Sequence, residues 1–145
     1  MHIKQLTIEL LIKYKKSYFE TISALVLSTP LPDQECERIL SKIELQKWRI
    51  FVAIDEQIEK IIWTCSIYLE QKLSKWWVIS AQIQELAVHP DHQWKGIWSL
   101  LLDEAINWSR SMRCYKAILN CEEHNIWRYE KFWFEKKEVE MKRYL

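Results

Sequence analysis

One glycine in 145 residues, set against nine tryptophans, constrains this chain more than any other feature. Ordinary domains average about 7% glycine, so about ten would be expected here. Glycine takes left-handed turns at no steric cost and lets backbone come close to a ligand. In this chain those tasks fall to Gly96 or to residues badly suited to them. Several tryptophans stand where a chain usually turns: Trp76–Trp77, Trp94 and Trp98 on either side of Gly96, Trp127 and Trp133.

The length fits one domain over residues 1–145, with enough apolar content (49%) for a core. A net charge of +1 provides no field for nucleic acid or an anionic membrane, so neither is expected as a partner. No apolar run has the length of a membrane span and no secretory leader is evident, which suggests a cytoplasmic protein. Cys36, Cys65, Cys114 and Cys121 lack C-x-x-C spacing. Free, mostly buried thiols and no metal site are expected.

Alternation predicts a first strand over His2–Ile8, and apolar spacing predicts one helix over Glu9–Leu27. Pro30 and Pro32 end it, and Asp33 can cap a second helix to about Gln46. Trp48–Ile54, Lys60–Glu70 and Val78–Val88 read as strands joined by polar turns. Trp98–Met112 is an amphipathic helix, Cys114–Cys121 a strand and Glu122–Lys131 a short helix. Phe132–Leu145 forms one or two closing strands. The order β-α-α-β-β-β-α-β-α-β implies a mixed α/β fold with helices on both faces of a mixed sheet.

The unit Ile83–Trp98 reads I-Q-E-L-A-V-H-P-D-H-Q-W-K-G-I-W. A strand–loop–helix passage of this kind offers backbone N–H groups and the helix dipole to an anion such as a pyrophosphate. Gln93-Trp94-Lys95-Gly96-Ile97-Trp98 resembles the Q/R-x-x-G-x-G/A acetyl-CoA loop of the GNAT N-acetyltransferases. Asn125-Ile-Trp-Arg-Tyr129-Glu-Lys-Phe-Trp-Phe134 resembles the N-x-x-F-Y-E-K-x-G-F signature of their glucosamine-6-phosphate branch. The similarity extends over Trp48–Leu145.

That resemblance implies a GNAT-like fold with a splayed central sheet, acetyl-CoA as co-substrate, and transfer of acetyl to the amine of D-glucosamine 6-phosphate. It places Leu86, Ala87 and Val88 along the pantetheine arm and Gln93–Trp98 at the pyrophosphate. Asn125 and Tyr129 also fall at the coenzyme, with Tyr129 as the acid that protonates the departing thiolate. Gln84, Glu85 and Asn120 fall at the acceptor, with Glu85 a candidate base. It further implies a homodimer through the C-terminal strands. A different small amine as acceptor, or a non-catalytic interaction domain, are the alternatives. His89 and His124 read as a strand-end hydrogen-bonding group and a surface residue, not as catalytic bases.

Trp63, Trp94, Trp98, Trp127 and Trp133 stand where the resembled family carries glycine or a small residue. UGA is read as tryptophan in some bacterial codes and as glycine in others. Fifteen lysines against six arginines fit an AT-rich genome, where such reassignments arise. UGA recoding is therefore expected at many of these positions, while Trp48 and Trp108, inside regular elements, read as genuine.

Overall fold

The computed structural model describes residues 1–93 and 96–145; Trp94 and Lys95, both expected at the pyrophosphate loop, lie outside the described residues. Five strands form one sheet in chain order: β1 (His2–Gln5), β2 (Trp48–Asp55), β3 (Lys60–Gln71), β4 (Ile79–Val88) and β5 (Lys116–Leu119). Neighbours β1 to β4 are antiparallel, and β5 joins β4 in parallel. The parallel join follows from the crossover through a helix between β4 and β5.

Helices α1 (Ile8–Lys13), α2 (Lys15–Ile22) and α3 (Asp33–Leu45) cover one face, and α4 (Ile97–Ser111) covers the other; α5 is the short helix Ile126–Glu130. On the first face Leu11, Tyr18, Cys36 and Leu40 pack on Val52, Ile54 and Ile61. On the second, Leu101, Leu102 and Ala105 pack on Cys65, Ile67, Ala81 and Ile83. Burial on both sides explains why β3 reads as a nearly continuous apolar run. The mixed α/β fold with helices on both faces agrees with the pattern of the sequence.

Three expectations need correction. The helix over Glu9–Leu27 is two helices, broken at Tyr14 (φ −109°, ψ 21°), and ends at Ile22. Polar anchoring explains the break: the Ser17 hydroxyl accepts the Ile61 N–H at 3.0 Å and donates to the Tyr14 carbonyl, while Thr21 Oγ1 lies 3.0 Å from the Ile61 carbonyl. These contacts tilt α2 onto the start of β3. Asp33 is the first residue of α3 rather than its cap, which is Pro32.

The closing strands expected over Phe132–Leu145 do not form. A strand needs a ladder partner, and Val139 and Met141, which would supply its apolar face, are exposed. Charged side chains tether this segment instead: Lys136 pairs with Glu123 at 3.0 Å, and Glu140 accepts a hydrogen bond from Asn120.

Candidate active site

β4 carries the geometry that matters most. Thr64 pairs with Ala87 and Ser66 with Gln84, so Cys65 alone opposes both Glu85 and Leu86. The extra residue is absorbed by Glu85, whose φ of +50° is left-handed. The bulge reverses the side-chain alternation: Ala81 and Ile83 join the α4-side core before it, Leu86 and Val88 after it. It also turns the Glu85 carboxylate to the buried Ser66 hydroxyl, which donates to Oε2 at 2.8 Å. Among the described residues Glu85 pairs with this serine, and no lysine there bonds to it.

The last β5 partner of β4 is at Ile83, opposite Leu119. Gln84 to Val88 therefore continues past the end of β5, with β3 on its other side. The splay expected in the sheet is present. Ala87 and Val88 are buried, Leu86 is half-buried, and Gln84 is exposed. Below the strand, the Gln93 amide reaches the Val88 carbonyl at 3.4 Å.

Gly96 precedes the first residue of α4 with φ +68°. Among the described residues a Cβ there would meet nothing within 4 Å, so glycine is favoured by the backbone angle and not by space. Ile97 and Trp98 form the start of the helix, where N–H groups lack helical partners. The Trp98 indole packs edge-on against Tyr129 at 5.1 Å and Phe132 at 5.5 Å, and Tyr129 meets Phe134 at 6.1 Å. Burial in this aromatic group raises the Tyr129 phenol above its ordinary pKa; nearby Cys121 adds to the rise and Arg128 opposes it.

Asn125 caps α5 without a side-chain hydrogen bond, and exposed Asn120 is bound to Glu140. The structure thus groups Gln84, Glu85 and Ser66 at the bulge, and Trp98 with Tyr129 between α4 and α5. Among the described residues no hydrogen bond joins the two groups. A cleft of about 490 Å³ lies elsewhere, between α2 and the turn after β4, lined by Lys16, Glu20, Lys60 and His89 among others. It holds none of the expected site residues. His89 accepts the Asp91 N–H and approaches Glu20 at 3.4 Å, the strand-end role expected of it.

Sequence reasoning missed Ser66, although a serine inside the run I-I-W-T-C-S-I-Y-L was a visible polar break. It also missed Tyr18 and Cys65, which approach Glu85 from the two faces of the sheet. Burial raises both groups and the Glu85 charge adds to each; the Cys65 thiol is pushed up to about 12.

A strand that bulges, outruns its neighbour and precedes a glycine-started helix is the centre of this mixed α/β fold. The family model for the acetyltransferase (GNAT) family matches residues 18–132. This chain belongs to that family, and is an acyltransferase. It is 37% identical over 95 residues to the glucosamine 6-phosphate N-acetyltransferase of Schizosaccharomyces pombe, covering 66% of this chain and 86% of that one. The Dictyostelium discoideum glucosamine 6-phosphate N-acetyltransferase 1 is 29% identical over 133 residues, 91% of this chain and 85% of its own. Among solved structures, the Arabidopsis thaliana glucosamine-6-phosphate N-acetyltransferase superposes with a TM-score of 0.88 at 26% identity, covering 99% and 97% of the two chains. Within the described residues no helix is long and apolar enough to cross a membrane.

Proposed function

We propose that residues 1–145 act as one domain that transfers acetyl from acetyl-CoA to the amine of D-glucosamine 6-phosphate. The observation that carries the acyl-transfer part is the bulged end of β4 passing beyond β5 and leading to the N-terminus of α4. An extended thioester arm fits beside a strand whose edge has lost its neighbour, because it can take up the free backbone groups. The acceptor rests on the names of the relatives in Schizosaccharomyces, Dictyostelium and Arabidopsis.

Each residue then has a defined task. Backbone N–H groups of Leu86–Val88 hold the arm and polarise the thioester carbonyl, whose oxygen gains charge in the transition state. Glu85, oriented by Ser66, takes a proton from the ammonium, directly or through water, so that neutral nitrogen attacks the carbonyl carbon. As the carbon–sulfur bond breaks, Tyr129 gives its proton to the thiolate, and the proton shed by the new amide nitrogen returns to the tyrosinate through water. A phenol already carries its proton at neutral pH, and burial of Tyr129 acts in the same direction. Gln93, Gly96 and Ile97 hold the pyrophosphate at the α4 N-terminus. Gln84 and Asn120 lie toward the acceptor, and Asn125 starts the helix that carries Tyr129.

Release of CoA thiol from acetyl-CoA, measured with and without glucosamine 6-phosphate, tests the reading. Thiol release that depends on the sugar phosphate is expected. A rate unaffected by the sugar phosphate, with faster turnover on another amine, would replace the acceptor.

A further inference from the structure

Helices α3, α4 and α5 each close on a residue with left-handed backbone: Lys47 (φ +64°), Arg113 (φ +58°) and Trp133 (φ +63°). The closures after α4 and α5 use the same pair of bonds. Arg113 N–H reaches the Arg110 carbonyl and Cys114 N–H the Ser109 carbonyl; Trp133 N–H reaches Glu130 and Phe134 N–H reaches Tyr129 at 3.2 Å. This pattern places its left-handed residue just past the helix, a position that is usually glycine because a Cβ is strained there. A lysine or arginine gains something in return, since its cation suits the negative end of the helix. Trp133 gains neither charge nor packing: it is 93% exposed. The closure cannot relax to spare it, because the same turn lays Phe134 on the Tyr129 ring.

Two other tryptophans behave as the residue normally does. Trp48 stacks on Tyr68 across β2 and β3 at 5.3 Å, and Trp108 packs on Phe51 at 5.2 Å. Trp98 packs as well, edge-on against Tyr129 and Phe132, but it does so from the first turn of α4, where the N–H groups lack helical partners. Trp63, though buried, leaves its indole N–H without a partner among the described residues.

We propose that positions 98 and 133 are glycine in the protein as its own cell makes it, where UGA is read as glycine. The argument at position 133 is one of backbone geometry and stands apart from the acetyl-transfer reading; only the weight given to position 98 rests on that reading. The tryptophan form is then a misreading that keeps the fold.

Peptides of the protein isolated from its native cell, measured by mass spectrometry, test this without any reference to activity. Glycine at both positions is the expected result, and tryptophan at either overturns it. A second measurement uses the tryptophan form with Trp133→Gly and Trp133→Ala. Removing the Cβ should raise Tm by about 2–5 °C, while alanine, which keeps the strained Cβ, should not match it. A lower Tm for Trp133→Gly, or an equal gain from alanine, overturns the backbone argument.

Discussion

Ser66 and Glu85 face each other across β3 and β4, joined by a 2.8 Å hydrogen bond at the point where β4 takes its extra residue. The donor is buried and the carboxylate is exposed, so one end of the bond is fixed while the other remains open to a substrate. Ser66→Ala should leave Glu85 present but unoriented. A stability loss of about 1 kcal/mol and a kcat lower by about tenfold, with KM little changed, are expected. Full activity in this variant would show that Glu85 does not need Ser66.

Tyr129→Phe keeps the ring contacts to Trp98 and Phe134 and removes only the hydroxyl. The rate should fall by about 10²-fold or more, while Tm changes little. Because burial raises the phenol, the alkaline loss of activity in the parent should lie above the usual tyrosine value of about 10. An unchanged rate for the phenylalanine variant removes Tyr129 from the proton path.

Ser17→Ala takes away the hydroxyl that accepts the buried Ile61 N–H. A destabilisation of about 1–3 kcal/mol is expected, measured by urea unfolding with an unchanged slope. A loss below about 0.5 kcal/mol would mean that α2 is held on β3 by its apolar contacts alone.

Cys65 is fully buried with its thiol raised to about 12, whereas Cys121 is exposed. Iodoacetamide at pH 8 should label Cys121 readily and leave Cys65 untouched until the protein unfolds. The raised folded value means that Cys65 binds its proton more tightly when folded. Its contribution to stability is therefore complete below the unfolded pKa of about 8.5 and is lost as pH climbs from there toward 12. Urea midpoints should fall across that window, and less steeply in Cys65→Ala.

The helices and strands were legible wherever apolar period and turn chemistry agreed, as in α4 and in β2 to β4. Gly96 was legible as the residue before α4, because a lone glycine between a strand and an amphipathic run marks a helix entry. The break at Tyr14 was not, since Ser17 and Thr21 act on a strand some forty residues away and leave no local period. Ser66 stayed hidden for a similar reason: its importance comes from Glu85, across a bulge that alternation alone does not announce. The closing strands expected after Phe132 failed because a strand needs a neighbour to pair with, and among the described residues the sheet ends at β5.

The parity switch in β4 has a consequence for how this chain can change over time. Ala81 and Ile83 require odd-numbered positions to reach the α4-side core, while Leu86 and Val88 require even-numbered ones. Substitutions along the strand are absorbed one site at a time. Loss of a single residue near Glu85 is different in kind, because it exchanges inside for outside at every position that follows. Lineages descending from this chain can therefore vary the letters here, but they inherit the count.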